Sequence, residues 1–548
     1  MPRTAEVRVG ARVGRRIGVL AMAVLATAIP GCRTASSVAS PSPSPSGTIA
    51  PPETRRSEPV APVMLPPAIV SEPARTRDRD RIRALADSAL RAPMWNVARW
   101  GVLVVDATDG DTLFSHDADK LFMPASNQKL LTAAIALQHL GPDYVWRTPV
   151  LLRGRQRGST WDGDVLIVGS GDPTFSDSLR SGEAASAFDP IVAALAARGI
   201  SRITGAVHAF GDAFAGATTG FGWEIDDLDS SYGAPVDELT FNEGEFQLRA
   251  RAGSRAGAAV VLSKSTTSGY PRVVNTATTR AADQGGEPFR AVYDSIGDAI
   301  LLTGTIAVGD SASFSMAYRH PADAVVAEVT SRLVSRGIKV SNRSAGRGAS
   351  AQPASLDTLV VLVSPPLSAV LPRMQKPSQN QIAELLFRTT GLHVTGIGSA
   401  DSARAVAART LAALGVRNDG VAYRDGSGMS RHDYVTPRAL VQILDAMRGS
   451  ATFDLFRNAL PLAGVDGTLR NRMRGTPAAG NAQAKTGTVD KARSLSGYVR
   501  SADGRLVMYA LLCNNFVVPT REVERVQDLL VVAIAGARLA DRAPASGR

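Results

Sequence analysis

The pattern of the chain changes near residue 150 and changes back near residue 320, and this interruption is what most limits the folds it can adopt. Residues 150–320 are rich in glycine, threonine and short runs typical of strands, with few helical spacings. The sequence on both sides mixes helical and strand patterns. The chain therefore predicts an α/β (α+β) domain in two parts, interrupted by a mostly β insertion of one or two smaller domains.

The parts that flank the insertion carry clear local signals. Two apolar runs joined by the turn Asp109-Gly110-Asp111 predict a β-hairpin over residues 101–114. Helical spacing predicts helices over 130–140, 321–337, 379–390, 400–414, 436–448 and 521–540, and strand patterns lie around Lys485, over 494–500 and over 505–512. The first part of the domain is assigned to 81–149, the insertion to 150–335 and the second part to 336–548.

The N-terminal segment has the composition of an export signal. Residues 3–16 hold five arginines, and an apolar run over 17–29 leads to Pro30-Gly31-Cys32. This pattern predicts a secretory signal peptide over 1–32, because the apolar run is short for a transmembrane helix; an uncleaved anchor is the alternative. Cys32 lies where a lipoprotein signal would place its lipidated cysteine, and a lipid anchor and a cleaved signal both fit. We expect a periplasmic protein, or one that faces outward in the cell envelope.

The rest of the composition excludes several classes of protein. Residues 33–80 are rich in proline, serine and alanine, which is typical of a disordered linker. The net charge of +11 includes +4 from residues 1–32, and the remainder forms no basic block, so nucleic-acid binding is not predicted. Six scattered histidines and two cysteines show no metal-ligand spacing, so we expect neither a metal nor a cofactor. Cys513, in an apolar run, is expected to be buried and inert.

The motif Ser126-Asn127-Gln128-Lys129 begins a predicted helix, and its serine and lysine are about one turn apart. The hydroxyl and the ammonium group therefore lie on one face of the helix, whose N-terminus adds positive potential. A lysine desolvated in such a site can lose its proton and act as the base for the serine hydroxyl. The alternative is a serine that caps the helix beside a solvated lysine.

Two further motifs carry polar groups suited to the same chemistry. Ser378-Gln379-Asn380 precedes a predicted helix and offers a hydroxyl that relays a proton and an amide that orients substrate; the alternative is a helix cap. Lys485-Thr486-Gly487 offers a cation and a close backbone approach for a substrate carboxylate; the alternative is a polar edge strand. Only seven of the 61 basic residues are lysines, yet Lys129, Lys376 and Lys485 lie in or beside these motifs. Arginine could not replace a lysine base, because it does not give up its proton.

The three motifs, in this order, are closely similar to the signature of penicillin-binding proteins and class A β-lactamases. Over residues 85–540 the chain resembles the class C low-molecular-mass penicillin-binding proteins, which are D-alanyl-D-alanine carboxypeptidases and endopeptidases. The separation of 252 residues between Ser126 and Ser378 is similar to that family's and too long for a class A β-lactamase. Further stretches that match the family lie at 169–173, 222–227, 232–235, 242, 425–431 and 466–469. Gln379, where aspartate is common, and Pro377 depart from the pattern and bear on the geometry of the relay.

The resemblance implies a β-lactamase/transpeptidase-like domain with an antiparallel sheet and helices. It also implies acyl transfer through an ester of Ser126, with Lys129 as the base. The backbone N–H groups of Ser126 and Thr488 would form the oxyanion hole. Ser378 and Lys129 would pass the proton to the leaving amine, and Asn380 would hold the substrate amide.

The resemblance further implies which residues bind substrate. These are Lys485, Thr486, Gly487, Thr488, Arg431, Asp227 and Tyr232. Lys485 and the threonine hydroxyls would hold the terminal carboxylate of the substrate. Arg431, Asp227 and Tyr232 would line the cleft beside the peptide stem, where Asp227 could pair with an amine of the diamino acid. For these last three, a structural role at the surface is the alternative.

The resemblance implies peptidoglycan stem peptides as substrates and β-lactam antibiotics as covalent inhibitors, with membrane contact only through a lipid on Cys32. Trimming of terminal D-Ala and cleavage of D-Ala–diamino acid cross-links both fit the motifs. A serine β-lactamase is the nearest alternative, which the interrupted architecture disfavours. A general esterase and a catalytically silent protein that binds the wall or senses β-lactams are the others. The complete set of hydroxyl, amide and ammonium groups argues against silence.

Overall fold

The computed structural model describes residues 73–342 and 356–540, all of them within one compact unit. The predicted signal peptide, its Cys32 and most of the predicted linker lie outside the described residues. The helices are α1 (Pro73–Leu90), α2 (Gln128–His139), α3 (Asp189–Ala197), α4 (Pro321–Ser335), α5 (Leu367–Gln375), α6 (Asn380–Thr395), α7 (Ala400–Ala413), α8 (Pro437–Arg448), α9 (Phe453–Asn458) and α10 (Thr520–Gly536).

The strands are mostly short and lie in several separate sheets. They are β1 (Arg99–Asp106), β2 (Thr112–His116), β3 (Arg147–Arg157), β4 (Thr160–Val168), β5 (Arg202–Ile203), β6 (Val207–Phe210), β7 (Glu245–Arg251), β8 (Val261–Lys264), β9 (Val273–Asn275), β10 (Thr278–Arg280), β11 (Arg290–Asp294), β12 (Ala299–Thr303), β13 (Thr305–Ala307), β14 (Ser311–Ala317), β15 (Lys339–Val340), β16 (Asp357–Val363), β17 (Val421–Ala422), β18 (Tyr434–Val435), β19 (Gln483–Val489), β20 (Ala492–Arg500) and β21 (Leu506–Asn514). Every helix and strand predicted outside the insertion is present, with ends that differ by a few residues.

A five-stranded antiparallel sheet in the order β19-β20-β21-β1-β2 is the centre of the fold. β1 pairs with β21 along its whole length, from Arg99 opposite Asn514 to Asp106 opposite Val507. Strands from the two ends of the chain therefore meet side by side, which is what a domain split by an insertion requires. The antiparallel sheet with helices confirms the predicted fold class.

Both faces of the central sheet are apolar, because helices cover both. Along β1, Val102 and Val104 pack into a core that includes α1 and α10, whereas Leu103 packs into the core of α2, α5, α6 and α8. This alternation follows the period of two of a strand. Residues 128–137 of α2 are all buried, so α2 is the central helix of its layer and its first turn lies in the interior.

The insertion is larger than predicted. Its main sheet, in the order β15-β5-β4-β3-β16 with β6 beside β4, takes its last strand from residues 357–363, beyond the predicted end at 335. Val325, Val329 and Leu333 of α4, the last part of the predicted insertion, pack in the core of this sheet, so the insertion contains an amphipathic helix as well as strands.

The first helix also begins inside the predicted linker 33–80, at Pro73. Its buried residues, Ile82, Ala86 and Leu90, are spaced four apart and pack against the outer face of the central sheet. The charged turns before Ile82 continue this helix, and Arg79 forms an ion pair with Asp111 at 2.8 Å. These turns have a polar composition without a helical spacing of apolar residues, so the helix could not be predicted from the sequence. No helix in the described ranges is both long and apolar enough to span a membrane.

Candidate active site

The serine of the first motif lies in a short turn at the entrance to the central helix. Ala125–Asn127 form one 3₁₀ turn directly before α2, and Ala125 has a left-handed φ of 47°. Lys129, in the first turn of α2, is fully buried, and its Nζ donates to Ser126 Oγ at 2.9 Å. The hydroxyl and the amine therefore lie together, and the lysine is not the solvated residue of the alternative interpretation.

Two more acceptors complete the surroundings of the Lys129 amine. Nζ donates to Asn380 Oδ1 and to the carbonyl oxygen of Ser427, both at 2.7 Å. Asn380 begins α6, so the first two motifs are joined directly through the lysine. The amine is held from three sides, with the Ser126 hydroxyl as its one partner with a labile proton.

Burial dominates the chemistry of Lys129. It lowers the pKa of Lys129 from 10.5 to about 7, because an ammonium ion loses its hydration in the interior. Three nearby carboxylates act in the opposite direction: Asp425, Glu384 and Asp433. A substantial neutral fraction near pH 7 is what a general base for a serine hydroxyl requires.

The middle motif is divided between a strained serine and a helix cap. Ser378 has a left-handed φ of 68°, a conformation that costs a non-glycine residue about 1 kcal/mol or more. Gln379, the departure from the family pattern, caps α6: its side-chain oxygen accepts from the N–H groups of Gln381 and Ile382. The Ser378 hydroxyl and the Asn380 amide are thereby left at the cleft.

Lys485 is fully buried, although β19 is an edge strand of the central sheet. Its Nζ donates to Ser378 Oγ at 2.8 Å and to the Thr486 carbonyl at 3.0 Å. The resemblance coupled Ser378 with Lys129, whereas in the structure the direct partner of this hydroxyl is Lys485. Burial first, and then the positive charge of Lys129, holds the pKa of Lys485 well below 10.5.

Two glycines let neighbouring segments approach the nucleophile turn, which is the 3₁₀ turn Ala125–Asn127 that carries Ser126. A Cβ on Gly487 would lie 2.5 Å from the Pro124 carbonyl oxygen and 3.1 Å from Ser126 N. A Cβ on Gly428, whose φ is 80°, would lie 1.9 Å from the Ala125 carbonyl oxygen. Strand β19 and the segment around Gly428 therefore contact the turn through backbone atoms, which only glycine permits at these positions.

A cavity of about 520 Å³ opens over these groups. It brings together most of the residues named from the sequence, namely Ser126, Ser378, Asn380, Thr486, Thr488, Asp227, Tyr232 and Arg431. The other three, Lys129, Lys485 and Gly487, are buried behind this lining. Residues from both parts of the domain and from the insertion thus meet in one cleft.

One wall of the cleft comes from residues 224–232 and 431. The Tyr232 hydroxyl donates to Asp227 Oδ1 at 2.9 Å, and the Tyr232 carbonyl accepts from Asn380 Nδ2 at 2.9 Å. Arg431 Nε lies 2.9 Å from Glu224 Oε1 in an ion pair. The arginine is therefore already paired with an acid, while Asp227 accepts from a neutral phenol.

Some groups at the site had no role assigned from the sequence. Thr468 lines the cavity, and its hydroxyl accepts from Thr486 Oγ1 at 2.7 Å. Lys376, beside the middle motif, pairs with Asp466 and so ties the two segments together. The stretch 466–469 that matches the family could have indicated Thr468. Ser427 acts through its carbonyl, and a backbone acceptor leaves no signal in the residue type.

Other reactive groups lie away from the cleft. Cys513 is fully buried, as predicted, and burial raises the pKa of its thiol to about 12, which disfavours the reactive thiolate. Within residues 73–342 and 356–540, no three or more His, Cys, Asp or Glu side chains are arranged to hold a metal ion.

Comparisons with known proteins agree on one family. The sequence profile of the D-Ala-D-Ala carboxypeptidase 3 (S13) family matches residues 82–535. The D-alanyl-D-alanine carboxypeptidase of Actinomadura sp. (strain R39) is 32% identical over 470 residues, which cover 83% of this chain and 84% of that protein.

Two solved structures of penicillin-binding protein 4 (dacB) from Haemophilus influenzae share the fold. The first has a TM-score of 0.69 at 22% identity, and covers 81% of this chain and 98% of that chain. The second, a complex of that protein with a β-lactam, has a TM-score of 0.65 at 21% identity over the same shares of the two chains.

Proposed function

The chain belongs to the D-Ala-D-Ala carboxypeptidase 3 (S13) family, and from that membership we propose that it works through an ester formed on Ser126. It is a serine-type D-Ala-D-Ala carboxypeptidase, a D,D-peptidase of peptidoglycan. One observation carries the proposal for the nucleophile: Lys129 Nζ is buried 2.9 Å from Ser126 Oγ, with its pKa lowered to about 7.

In the proposed acylation step, neutral Lys129 takes the proton of the Ser126 hydroxyl as the oxygen attacks the carbonyl between two D-amino acids. The oxyanion is stabilised by the backbone N–H groups of Ser126 and Thr488, next to the close approach of Gly487 to Ser126. As the C–N bond breaks, the proton passes to the leaving amine through Ser378. Water then hydrolyses the ester.

The terminal carboxylate of the substrate is proposed to bind at Lys485, with the hydroxyls of Thr486 and Thr488. In the free protein, burial and the neighbouring charge of Lys129 disfavour the ammonium form of Lys485. An arriving carboxylate would reverse this, because an anion within about 4 Å favours the charged amine. Substrate binding and the protonation of Lys485, which holds the Ser378 hydroxyl, are therefore coupled.

The wall of Asp227 and Tyr232 is proposed to receive the side chain of the stem diamino acid. The Asp227 carboxylate is half-buried and accepts from a phenol, so it can also pair with the free amine of that side chain. Arg431, which pairs with Glu224, would bound the same pocket.

Asp227→Asn tests this wall. For a stem peptide with a free side-chain amine, KM is expected to rise about twofold to fivefold, the size of a partly exposed ion pair. Benzylpenicillin, which has no such amine, should acylate the variant at nearly the native rate. Asp226→Asn, one residue earlier in the same 3₁₀ turn, is the matched control. An unchanged KM for the peptide would exclude Asp227 from amine recognition.

The protein acts on the cell wall, and we further propose export to the periplasm, with attachment by a lipid on Cys32 as one form of it. We also propose that β-lactams acylate it and that it cleaves D-Ala–diamino acid cross-links as well as terminal D-Ala. The β-lactam complex of the H. influenzae relative, which has the same fold, supports the proposal that β-lactams acylate this protein.

The test is the intact mass of the protein, from residue 33 onward, after exposure to benzylpenicillin, followed by peptide mapping. We expect one penicilloyl group, slowly released, on the peptide that contains Ser126. Release of D-Ala from a D-Ala-D-Ala peptide should stop while the adduct persists. Heat-denatured protein, which keeps the serine but not the site, should remain unmodified.

Three other outcomes would contradict the proposal. An adduct on a different peptide would exclude Ser126 as the nucleophile. Rapid hydrolysis of penicillin without an accumulating adduct would indicate a serine β-lactamase. Neither an adduct nor hydrolysis would mean that the motifs form no working site.

A further inference from the structure

A buried carboxylate behind Lys129 has no part in the reaction described so far. Glu384 lies on α6, one turn after Asn380, and is 3% exposed. Its Oε1 accepts from the N–H of Ser427 at 2.7 Å, and the carbonyl of Ser427 accepts from Lys129 Nζ at 2.7 Å. Helix α6 therefore holds the lysine twice, directly through Asn380 and indirectly through the Ser427 residue that Glu384 binds.

Asp425 supports the loop that contains Ser427 in a different way. Its Oδ1 accepts from the N–H groups of Ser427 and Gly428, and its Oδ2 accepts from Ser430 N and Trp223 Nε1. These bonds shape the loop and join it to residue 223. The Glu384 carboxylate ties this part of the loop to α6, the helix that begins with the Asn380 amide: it accepts from the N–H groups of Ser427 and Gly426.

We propose that Glu384 is a positioning residue for acylation: it holds the Ser427 carbonyl against the Lys129 amine, and its charge sets the lower pH limit at which that amine is a base. This rests on the proposed role of Lys129. An ionised Glu384 favours the ammonium form of the lysine, which cannot take a proton. The protonation of Glu384 therefore decides how acidic the solution can become before Lys129 ceases to act.

The surroundings of Glu384 allow it to ionise in the range where the enzyme works. Burial, and then the charge of Asp425, raises the pKa of Glu384 to about 7, close to that of Lys129. The titratable and charged groups that face it are Lys129 from α2, Arg388 from α6, and Tyr423, Asp425 and Asp433 from the segment after α7. Burial raises the pKa of Asp433 well above 3.8.

A second cavity gives Glu384 its own access to solvent. This cavity, of about 320 Å³, is lined by Glu384, Asp425, Arg388, Arg404 and Arg424 among others, and shares no lining residue with the substrate cleft. Glu384 can therefore exchange protons while substrate fills the cleft.

Glu384→Gln tests the charge without removing the hydrogen bond, because the amide oxygen can still accept from Ser427. The second-order rate constant for acylation by benzylpenicillin is measured from pH 5 to pH 9. Without the carboxylate, Lys129 loses its proton more easily, so the acidic limb of the profile should move about one unit to lower pH. The plateau should stay within about threefold of the native value. A role confined to the fold would scale the whole profile and leave the limb in place.

Glu328→Gln is the matched control. Glu328 is a buried glutamate of the insertion that likewise accepts from a backbone N–H, that of Ser268 at 3.0 Å, and from a hydroxyl, that of Thr267. Its replacement should leave the acidic limb unmoved. Glu384→Ala removes both charge and acceptor, and the plateau should fall about tenfold or more, the size of a lost buried hydrogen bond.

The outcomes separate this proposal from the proposed function. If the native protein acylates on Ser126 but the limb does not move in Glu384→Gln, the charge role is overturned. If folded Glu384→Ala keeps the native plateau, the positioning role is overturned. If the native protein forms no adduct at all, the proposed function fails, and the role of Glu384 fails with it because it rests on Lys129 as the base.

Discussion

Lys129→Arg is expected to abolish acylation of Ser126 while the protein stays folded. The rate of adduct formation with benzylpenicillin should fall by about 10⁴-fold or more, because a guanidinium group does not give up its proton and so cannot act as a base. The native amine can act because burial brings its pKa to about 7. The loss should therefore persist at high pH. Intact mass after timed exposure from pH 6 to pH 10 measures it.

The controls for this variant follow from the fully buried site. Arginine is larger than lysine and could disturb the packing of α2, so Lys129→Met, similar in length and without charge, provides a second variant. Lys120→Arg, at an exposed lysine outside the site, should acylate normally. Thermal unfolding shows whether each variant is folded. Normal acylation of folded Lys129→Arg would remove the lysine from the role of base.

Much of the fold could be predicted because its signals are local. The hairpin of β1 and β2, the helices α2, α6, α7, α8 and α10, and the strands β19 to β21 each have their own spacing of apolar residues. The boundaries of the insertion were less accessible to prediction. A helical pattern does not reveal which sheet the next strand joins, and β16, which follows α4 beyond the predicted boundary at 335, completes the main sheet of the insertion.

The site could be predicted as a set of residues but not as a set of bonds. Ser126, Ser378, Asn380 and Thr486 lie in one cleft, as the three motifs led us to expect. The sequence could not show that Ser378 is bonded to Lys485, since this depends on the left-handed conformation at residue 378.

The groups that affect the pKa of Lys129 could not be identified from the sequence either. Glu384 lies in the apolar pattern of α6, four residues after Asn380, and a lone acid there looks like an ordinary helix residue. Its partner is the backbone N–H of Ser427. Each such contact joins segments that are far apart in the chain, and only the folded structure places them together.

The two buried lysines affect each other's protonation, so the position of strand β19, which carries Lys485, matters for both. The charge of Lys129 lowers the pKa of Lys485, so each lysine disfavours the ammonium form of the other in this poorly hydrated region. A substrate carboxylate relieves that effect if strand β19 lies close to the nucleophile turn. The position of β19 therefore governs the charge on Lys485, the oxyanion contact from Thr488 and the orientation of the Ser378 hydroxyl together.

Gly487→Ala is accordingly expected to lower acylation by about 10³-fold in a folded protein. The added Cβ would lie 2.0 Å from Ser494 Oγ, 2.5 Å from the Pro124 carbonyl oxygen and 3.1 Å from Ser126 N. The nucleophile turn leads into the buried helix α2 and cannot yield, whereas β19 is an edge strand and can move. The strand should shift away and carry the Thr488 N–H with it, a loss comparable to removing an oxyanion-hole donor.

Stability should fall far less than activity in this variant, by about 1–3 kcal/mol, the usual cost of overpacking. Acylation rate and thermal unfolding are measured on the same preparation. Gly449→Ala is the matched control, because a Cβ there would lie 3.6 Å from its nearest neighbour, the Ala446 carbonyl oxygen, and should change neither quantity much. If folded Gly487→Ala acylates within tenfold of the native rate, the close approach of β19 to Ser126 is not what builds the oxyanion site.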